Sequence, residues 1–359
     1  MVVHLPSKQD TRVRFPSPAL KMTTKNQNHK IKVFSGTRPT GPLHLGNYFG
    51  GIKGYLELQE RKDLDCLYAV VDLHGITSPY SPKEYPNQIK ELVLEYLACG
   101  LDYKKAHLII QSQIPEHLEL AYYFSTIYPV SRLEQLPTYK EKKSQQKNYI
   151  NLGLLSYPIL MAADILLYKA ELVPVGKDQL PHLELTREVA RNFNRLFGQT
   201  FPSPEAYLTK SSYIPSLTGE GKMSKTKPES YISLIDDYQT IKKKIAKVPT
   251  DSGRGKKLPT KGGVLTLLIL VELFEGEERR KDYEKLYLST GIHYQSLKEE
   301  LADCLYKQLK PIQEKRQYYL KNEQLVKKIL QEGQEYARQI ALKNIQEVRE
   351  KMGIKIINL

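Results

Sequence analysis

Four short runs, Ile31–Phe34, Cys66–Asp72, His107–Gln111 and Leu172–Val175, are apolar over nearly their whole length instead of alternating. Each is followed by residues at helical spacing. A strand that is apolar on both sides is covered on both sides, and strands separated by helices join in a parallel sheet. Residues 31–230 are therefore expected to form an α/β domain. Its helices are expected over Leu45–Arg61, from the Ser81-Pro82-Lys83-Glu84 capping box to Cys99, and over Asp178–Asn194. Sheets of this kind bind ligands at the carboxyl ends of their strands. After Tyr231 no strand pattern is found. Long, charged, amphipathic stretches make residues 231–359 an all-helical region, broken by a Gly/Pro/Lys-rich loop at Val248–Gly263.

Residues 1–30 share neither pattern. They are basic, hold one acid (Asp10), and are expected to be a disordered or non-native leader ahead of a start at Met22, or a targeting peptide. The whole chain carries 54 Lys+Arg against 40 Asp+Glu, a formal net charge of +14, which favours a polyanionic partner. The three cysteines (Cys66, Cys99, Cys304) have no paired spacing, so a disulfide scaffold or cysteine zinc site is not expected and a reducing, cytoplasmic setting fits. The most apolar stretch, from Asn148 to Tyr168, contains Pro158 and Asp164, so no membrane span is expected. Lys142–Lys147 reads as a short charged loop.

Three segments carry chemistry. In Gly36-Thr-Arg-Pro-Thr-Gly-Pro-Leu-His44-Leu-Gly46-Asn47, a strand passes into a helix; Gly46 permits close approach, and His44 and Asn47, three apart, can face one anion. By itself this is also an ordinary glycine-rich turn with a capping asparagine. In Gly221-Lys222-Met223-Ser224-Lys225-Thr226-Lys227, three lysines and two hydroxyls can surround a triphosphate, although a solvated lysine loop would look the same. Between Lys147 and Lys169 the only charged residue is Asp164, and Tyr157, Met161 and Asp164 follow i, i+4, i+7 spacing on one helix face. An apolar face with a single acceptor suits a flat aromatic ligand bearing one N–H. The competing role for Asp164 is to pair with a core arginine or cap a helix.

The first two segments together resemble the signature pair of class I aminoacyl-tRNA synthetases. The sequences Tyr157-Pro-Ile-Leu-Met-Ala-Ala-Asp-Ile-Leu-Leu-Tyr168, Val173-Pro-Val-Gly-Lys-Asp-Gln179 and His182-Leu-Glu-Leu-Thr-Arg187 narrow the resemblance to the bacterial and organellar tryptophanyl type. It implies a Rossmann-like catalytic domain and a C-terminal helical domain that binds tRNA. The implied substrates are ATP, with Mg²⁺ on its phosphates, L-tryptophan and tRNA(Trp), and the implied assembly is a homodimer. His44, Asn47, Lys222 and Lys225 become the catalytic group. Arg38, Pro39, Thr40, Gly46, Gly176, Lys177, Asp178, Ile214, Met223, Ser224 and Thr226 join Asn47 and the two lysines around ATP. Asp164, Met161, Tyr157, Gln179, His74 and Phe34 surround the amino acid, with Gln179 at its head group. Arg38, Lys177 and Lys227 depart from the family's usual glutamine, acid and aspartate; the first changes the ATP contact, and the other two make the ATP site more positive. A tyrosyl enzyme, a tRNA-independent adenylyltransferase and a catalytically silent RNA-binding paralogue are the alternatives.

Overall fold

The computed structural model describes residues 29–145, 148–208, 214–225 and 227–354. The expectation for residues 1–30 thus falls almost wholly outside the described residues, as does Thr226. Strand β1 (Ile31–Thr37) is the centre of a five-stranded sheet, flanked by β2 (Leu64–Val70) and β4 (Leu172–Pro174). Beyond them lie β3 (Ala106–Ile110) and β5 (Glu205–Tyr207), giving the order β3-β2-β1-β4-β5 with every pairing parallel. Successive side chains alternate between the faces. Val33, Cys66, Tyr68 and Leu108 enter one core, and Phe34, Leu67, Ala69 and Ile109 enter the other. Two buried faces are what the uninterrupted apolar runs require.

Four local features differ from the sequence expectation. β5 was not anticipated, because Glu205-Ala-Tyr207 is short and lies half-exposed at the sheet edge, with no apolar run to reveal it. The helix expected from Ser81 starts at Tyr85; Ser81 instead closes a turn, its carbonyl accepting the Glu84 and Tyr85 amides at 3.1 and 2.9 Å, and Pro86 occupies the first helical turn. The helix after His44 contains a wide turn at Tyr48–Ile52, where two glycines ease the backbone. Residues Lys142–Gln145, read as loop, belong to a helix Pro137–Gln145.

The helices after residue 231 fold back on the sheet. Tyr294–Lys321 places Leu297, Leu301 and Leu305 in the same core as Leu92 and Leu97 of helix Tyr85–Cys99. Glu323–Met352 runs past β3 and supplies Ala337, Ala341, Ile345 and Val348 to the other core. Among the described residues, no helix is long and apolar enough to cross a membrane.

Gly333 fixes this last crossing. A Cβ built there would lie 2.2 Å from the Leu108 carbonyl oxygen, so the helix backbone touches the strand backbone directly. Alanine is the better helix former by about 1 kcal/mol, but here the clash outweighs it. Gly333→Ala should lower unfolding stability by about 1–3 kcal/mol in urea titrations, after the propensity gain is subtracted. A stabilised variant would contradict the packing described.

Candidate active site

The strand order reverses at β1, whose neighbours β2 and β4 depart in opposite directions; the crevice at this switch point is where such sheets take ligands. Ser35 Oγ donates to the Pro174 carbonyl at 2.8 Å and ties the two sides together. The His44 turn leaves the end of β1, the Gly176–Gln179 segment leaves β4, His74 follows β2 and Gln111 follows β3.

At the His44 turn, the ring Nδ1 accepts the Asn47 amide at 3.3 Å, and Asn47 Oδ1 accepts the His44 amide at 3.2 Å. This reciprocal cap settles the tautomer: Nε2 carries the proton and can donate to an anion. Burial, helped by Lys225 and Lys222, pushes the His44 imidazole down to about 4, so it is neutral near pH 7. Gly46 is needed for space. A Cβ there would sit 2.9 Å from the His44 ring and 3.4 Å from Met223 Cβ, so the lysine loop packs directly on the turn.

The lysine loop is held by its backbone. The Met223 amide donates to the Ile214 carbonyl at 3.2 Å, and Ser230 Oγ accepts the Ser224 amide at 3.1 Å while donating to its carbonyl at 3.0 Å. Met223 and Ile214 are buried, which leaves the lysines to project. Lys225 Nζ donates to the Gly41 carbonyl at 2.7 Å, crossing to the first motif. Lys222 Nζ lies 3.5 Å from Asp178, and both groups are exposed, so this contact is weak. Asp178 also accepts from Gln179 Nε2 at 3.1 Å. A Cβ at Gly176 would come 2.6 Å from Asp178 Oδ1, so a side chain there would displace the exposed Asp178 carboxylate. Pro39 is buried and Thr40 exposed, in the turn after Arg38. Lys177 is exposed, and Lys227 precedes a short helical turn at Pro228–Ser230.

Asp164 occupies the centre of the aromatic half. It is 2% exposed and accepts three hydrogen bonds. Oδ1 takes Gln111 Nε2 and His117 Nδ1, both at 2.7 Å, and Oδ2 takes His74 Nε2 at 2.8 Å. The Gln111 amide cannot be reversed, because its Oε1 accepts the Leu73 amide at 3.1 Å. His117 Nε2 in turn meets the Tyr168 hydroxyl at 2.8 Å. These donors outweigh burial and hold the Asp164 carboxyl well below the usual carboxylate range. A carboxylate has about four acceptor places. Three are filled, and the open one is on Oδ2 beside His74.

The spacing argument is borne out for Tyr157 and Asp164, which come from one helix, Leu152–Leu167, with Met161 half-buried between them. The Tyr157 hydroxyl bonds Thr138 and His182 Nε2 at 3.1 and 3.0 Å. Phe34 is buried and stacked on Tyr168, with ring centroids 5.2 Å apart, so the structure places it behind the Asp164 cluster. Asp164 has neither of the alternative roles: its partners are histidines and an amide, with no arginine and no helix cap.

Sequence reasoning missed Gln111, His117 and Tyr168, although a glutamine at the end of an apolar strand was a usable signal. It also missed Lys142. Its Nζ stands 3.9 Å from the centre of the Tyr157 ring, and burial, with Arg38 nearby, pushes it down to about 8. Among the described residues neither Arg38 nor Lys142 makes an ion pair, and burial works against both charges. The described residues contain no group of three or more His, Cys, Asp or Glu side chains placed to hold a metal ion.

A family model for tRNA synthetases class I (W and Y) matches residues 25–310. The chain is 43% identical over 329 residues to the tryptophan–tRNA ligase of Caldanaerobacter subterraneus subsp. tengcongensis, covering 90% of this chain and 98% of that one. It is 39% identical to the ligase of the same name from Deinococcus radiodurans, at 90% and 98% coverage. The tryptophanyl-tRNA synthetase of Campylobacter jejuni, solved with ADP and tryptophan, superposes with a TM-score of 0.79 at 32% identity, over 90% of this chain and 100% of that one. A tyrosyl-tRNA synthetase from Archaeoglobus fulgidus shares the fold, with a TM-score of 0.63 at 21% identity. With the two nucleotide motifs packed on each other at the switch point and this match spanning most of its length, the chain belongs to the class I aminoacyl-tRNA synthetases of the tryptophan and tyrosine group.

Proposed function

We infer that this chain is a tryptophan–tRNA ligase: it activates L-tryptophan with ATP and transfers it to the 3′-terminal adenosine of tRNA(Trp). The observation that carries the specificity is the single open acceptor place on Asp164 Oδ2, beside His74 and on the same helix as Tyr157 and Met161. An indole N–H fills it. Phenylalanine leaves it unpaired at a cost of about 1–3 kcal/mol. Gln179 receives the amino-acid head group, and Phe34 backs the pocket through Tyr168.

Activation needs no protein nucleophile. The tryptophan carboxylate attacks the α-phosphorus of ATP, and the bond to the bridging oxygen of pyrophosphate breaks. The chain positions the reactants and offsets the developing charge. His44 Nε2–H and Asn47 hold phosphate oxygens, and Gly46 lets the phosphates reach the backbone. Asp178 and Gly176 receive the ribose. Arg38, Lys142, Lys222 and Lys225 converge on the triphosphate, and Arg38, Pro39 and Thr40 border it. Ile214, Met223, Ser224 and Thr226 carry the lysine loop, and Lys177 adds to the field. Mg²⁺ arrives on the phosphates as part of the substrate. In the second step a ribose hydroxyl of the terminal adenosine attacks the acyl carbon and AMP leaves. The basic helical region from residue 231 onward binds the tRNA, and the enzyme works in the cytoplasm.

A homodimer is part of this reading. Leu118 and Tyr122 share one face of helix Glu116–Ser125 and are 52% and 69% exposed, an apolar pair that a second copy would cover. Tyr122→Glu should move the sedimentation coefficient from dimer toward monomer; a wild-type chain that sediments as a monomer at micromolar concentration would refute the assembly.

ATP–pyrophosphate exchange tests the activity. Across the twenty amino acids, L-tryptophan should support exchange at rates orders of magnitude above the rest, tyrosine included. Lys225→Ala should reduce that rate by about a hundredfold or more while tryptophan affinity stays within a few-fold. Exchange driven by tyrosine, or an unaffected Lys225→Ala enzyme, would overturn the assignment.

A further inference from the structure

Glu95 lies in the last two turns of helix Tyr85–Cys99 and is 1% exposed. Its neighbours along that helix, Leu92, Leu94 and Leu97, are plain core. An acid at such a position is costly unless it does something that an apolar residue cannot. Oε2 accepts the Leu43 amide at 2.9 Å. Oε1 accepts no hydrogen bond and is closed to solvent. Lys225 arrives at the same stretch of chain from the lysine loop, with Nζ on the Gly41 carbonyl at 2.7 Å. The carboxylate and the ammonium thus grip positions 43 and 41, immediately before His44. Among the described residues Lys225 has no ion-pair partner within 4.0 Å.

We propose that Glu95 is a positioning residue of the ATP site, anchoring the entry to the His44 turn through Leu43 and serving as the buried counter-charge that keeps Lys225 cationic. The proposal rests on the assignment of Lys225 to the departing pyrophosphate. Burial pushes the Lys225 ammonium down to about 8, Arg38 pushes the same way, and Glu95 opposes both. Burial raises Glu95 itself to about 7; the Leu43 amide, Lys225 and Arg316 pull it back, and Glu91 pushes it further up. The other groups around it are Cys99 on its own helix and Tyr231, whose ionisation it opposes. Arg316 is paired with Glu91, and among the described residues Lys225 is the nearby cation without an ion pair. The sign follows directly. Losing the Glu95 charge lets Lys225 shed its proton at lower pH, and a neutral amine cannot hold pyrophosphate.

Competitive labelling of the full-length protein with acetic anhydride, read by peptide mass mapping across pH 6–10, measures the protonation midpoint of Lys225 with no need for catalysis. In Glu95→Gln the amide oxygen still accepts from Leu43, but the charge is gone. The Lys225 midpoint should fall by roughly half to one pH unit, so that its labelling at pH 7 is about three- to fivefold faster. Lys222, which is exposed, should not move. Glu95→Met provides the same readout if the glutamine variant folds poorly. An unchanged Lys225 midpoint, or an equal shift at Lys222, would overturn the proposal. Absent exchange activity in a wild-type enzyme that shows the labelling shift would instead count against the assigned function alone.

Discussion

Asp164 keeps its negative charge where an unpaired carboxylate would cost several kcal/mol as an order of magnitude. It does so because the segments that follow β2 and β3 bring up two donors, His74 and Gln111, and a neighbouring helix adds His117. The constraint propagates outward. Gln111 is oriented by the Leu73 backbone, His117 by Tyr168, and Tyr168 is packed against Phe34. Gln111, His117 and Tyr168 commit their polar atoms to holding one acceptor still. That arrangement leaves one lone pair open, and a fixed acceptor discriminates better than a mobile one because it cannot relax to find another donor.

The nucleotide half follows a different logic. There the protein gathers positive charge and withholds partners from it. Among the described residues Arg38 and Lys142 sit half-buried without ion pairs, Lys225 rests on a backbone carbonyl, and the exposed Lys222–Asp178 contact joins opposite charges. Cations kept in this state cost folding energy, which is returned when a polyanion arrives. His44 is the exception. Its depressed basicity makes it a neutral donor, so it can touch a phosphate without repelling the nearby lysines.

Much of this was legible in the sequence, and the gaps have physical causes. The four apolar strands announced a parallel sheet because burial on both faces removes alternation. The His44 turn and the lysine loop were recognisable from spacing, and so was the solitary carboxylate among apolar residues. The partners of Asp164 were not, because Gln111 and His117 lie far from it along the chain and only the sheet brings them near. Lys142 was hidden for a related reason: its segment reads as a charged loop, and only the helix Pro137–Gln145 turns it onto the Tyr157 ring. β5 was invisible because an edge strand of three residues needs no apolar run. Phe34 carried an expectation of ligand contact; the ring it is stacked on, Tyr168, is a partner that spacing along β1 could not reveal.

In the proposed function, a ring N–H completes the coordination of Asp164. Calorimetric titration of the protein with L-tryptophan and with its isosteric analogue, in which sulfur replaces the ring N–H, measures that contact alone. Tryptophan should bind tighter by about tenfold or more. Equal affinity for the two ligands would contradict it.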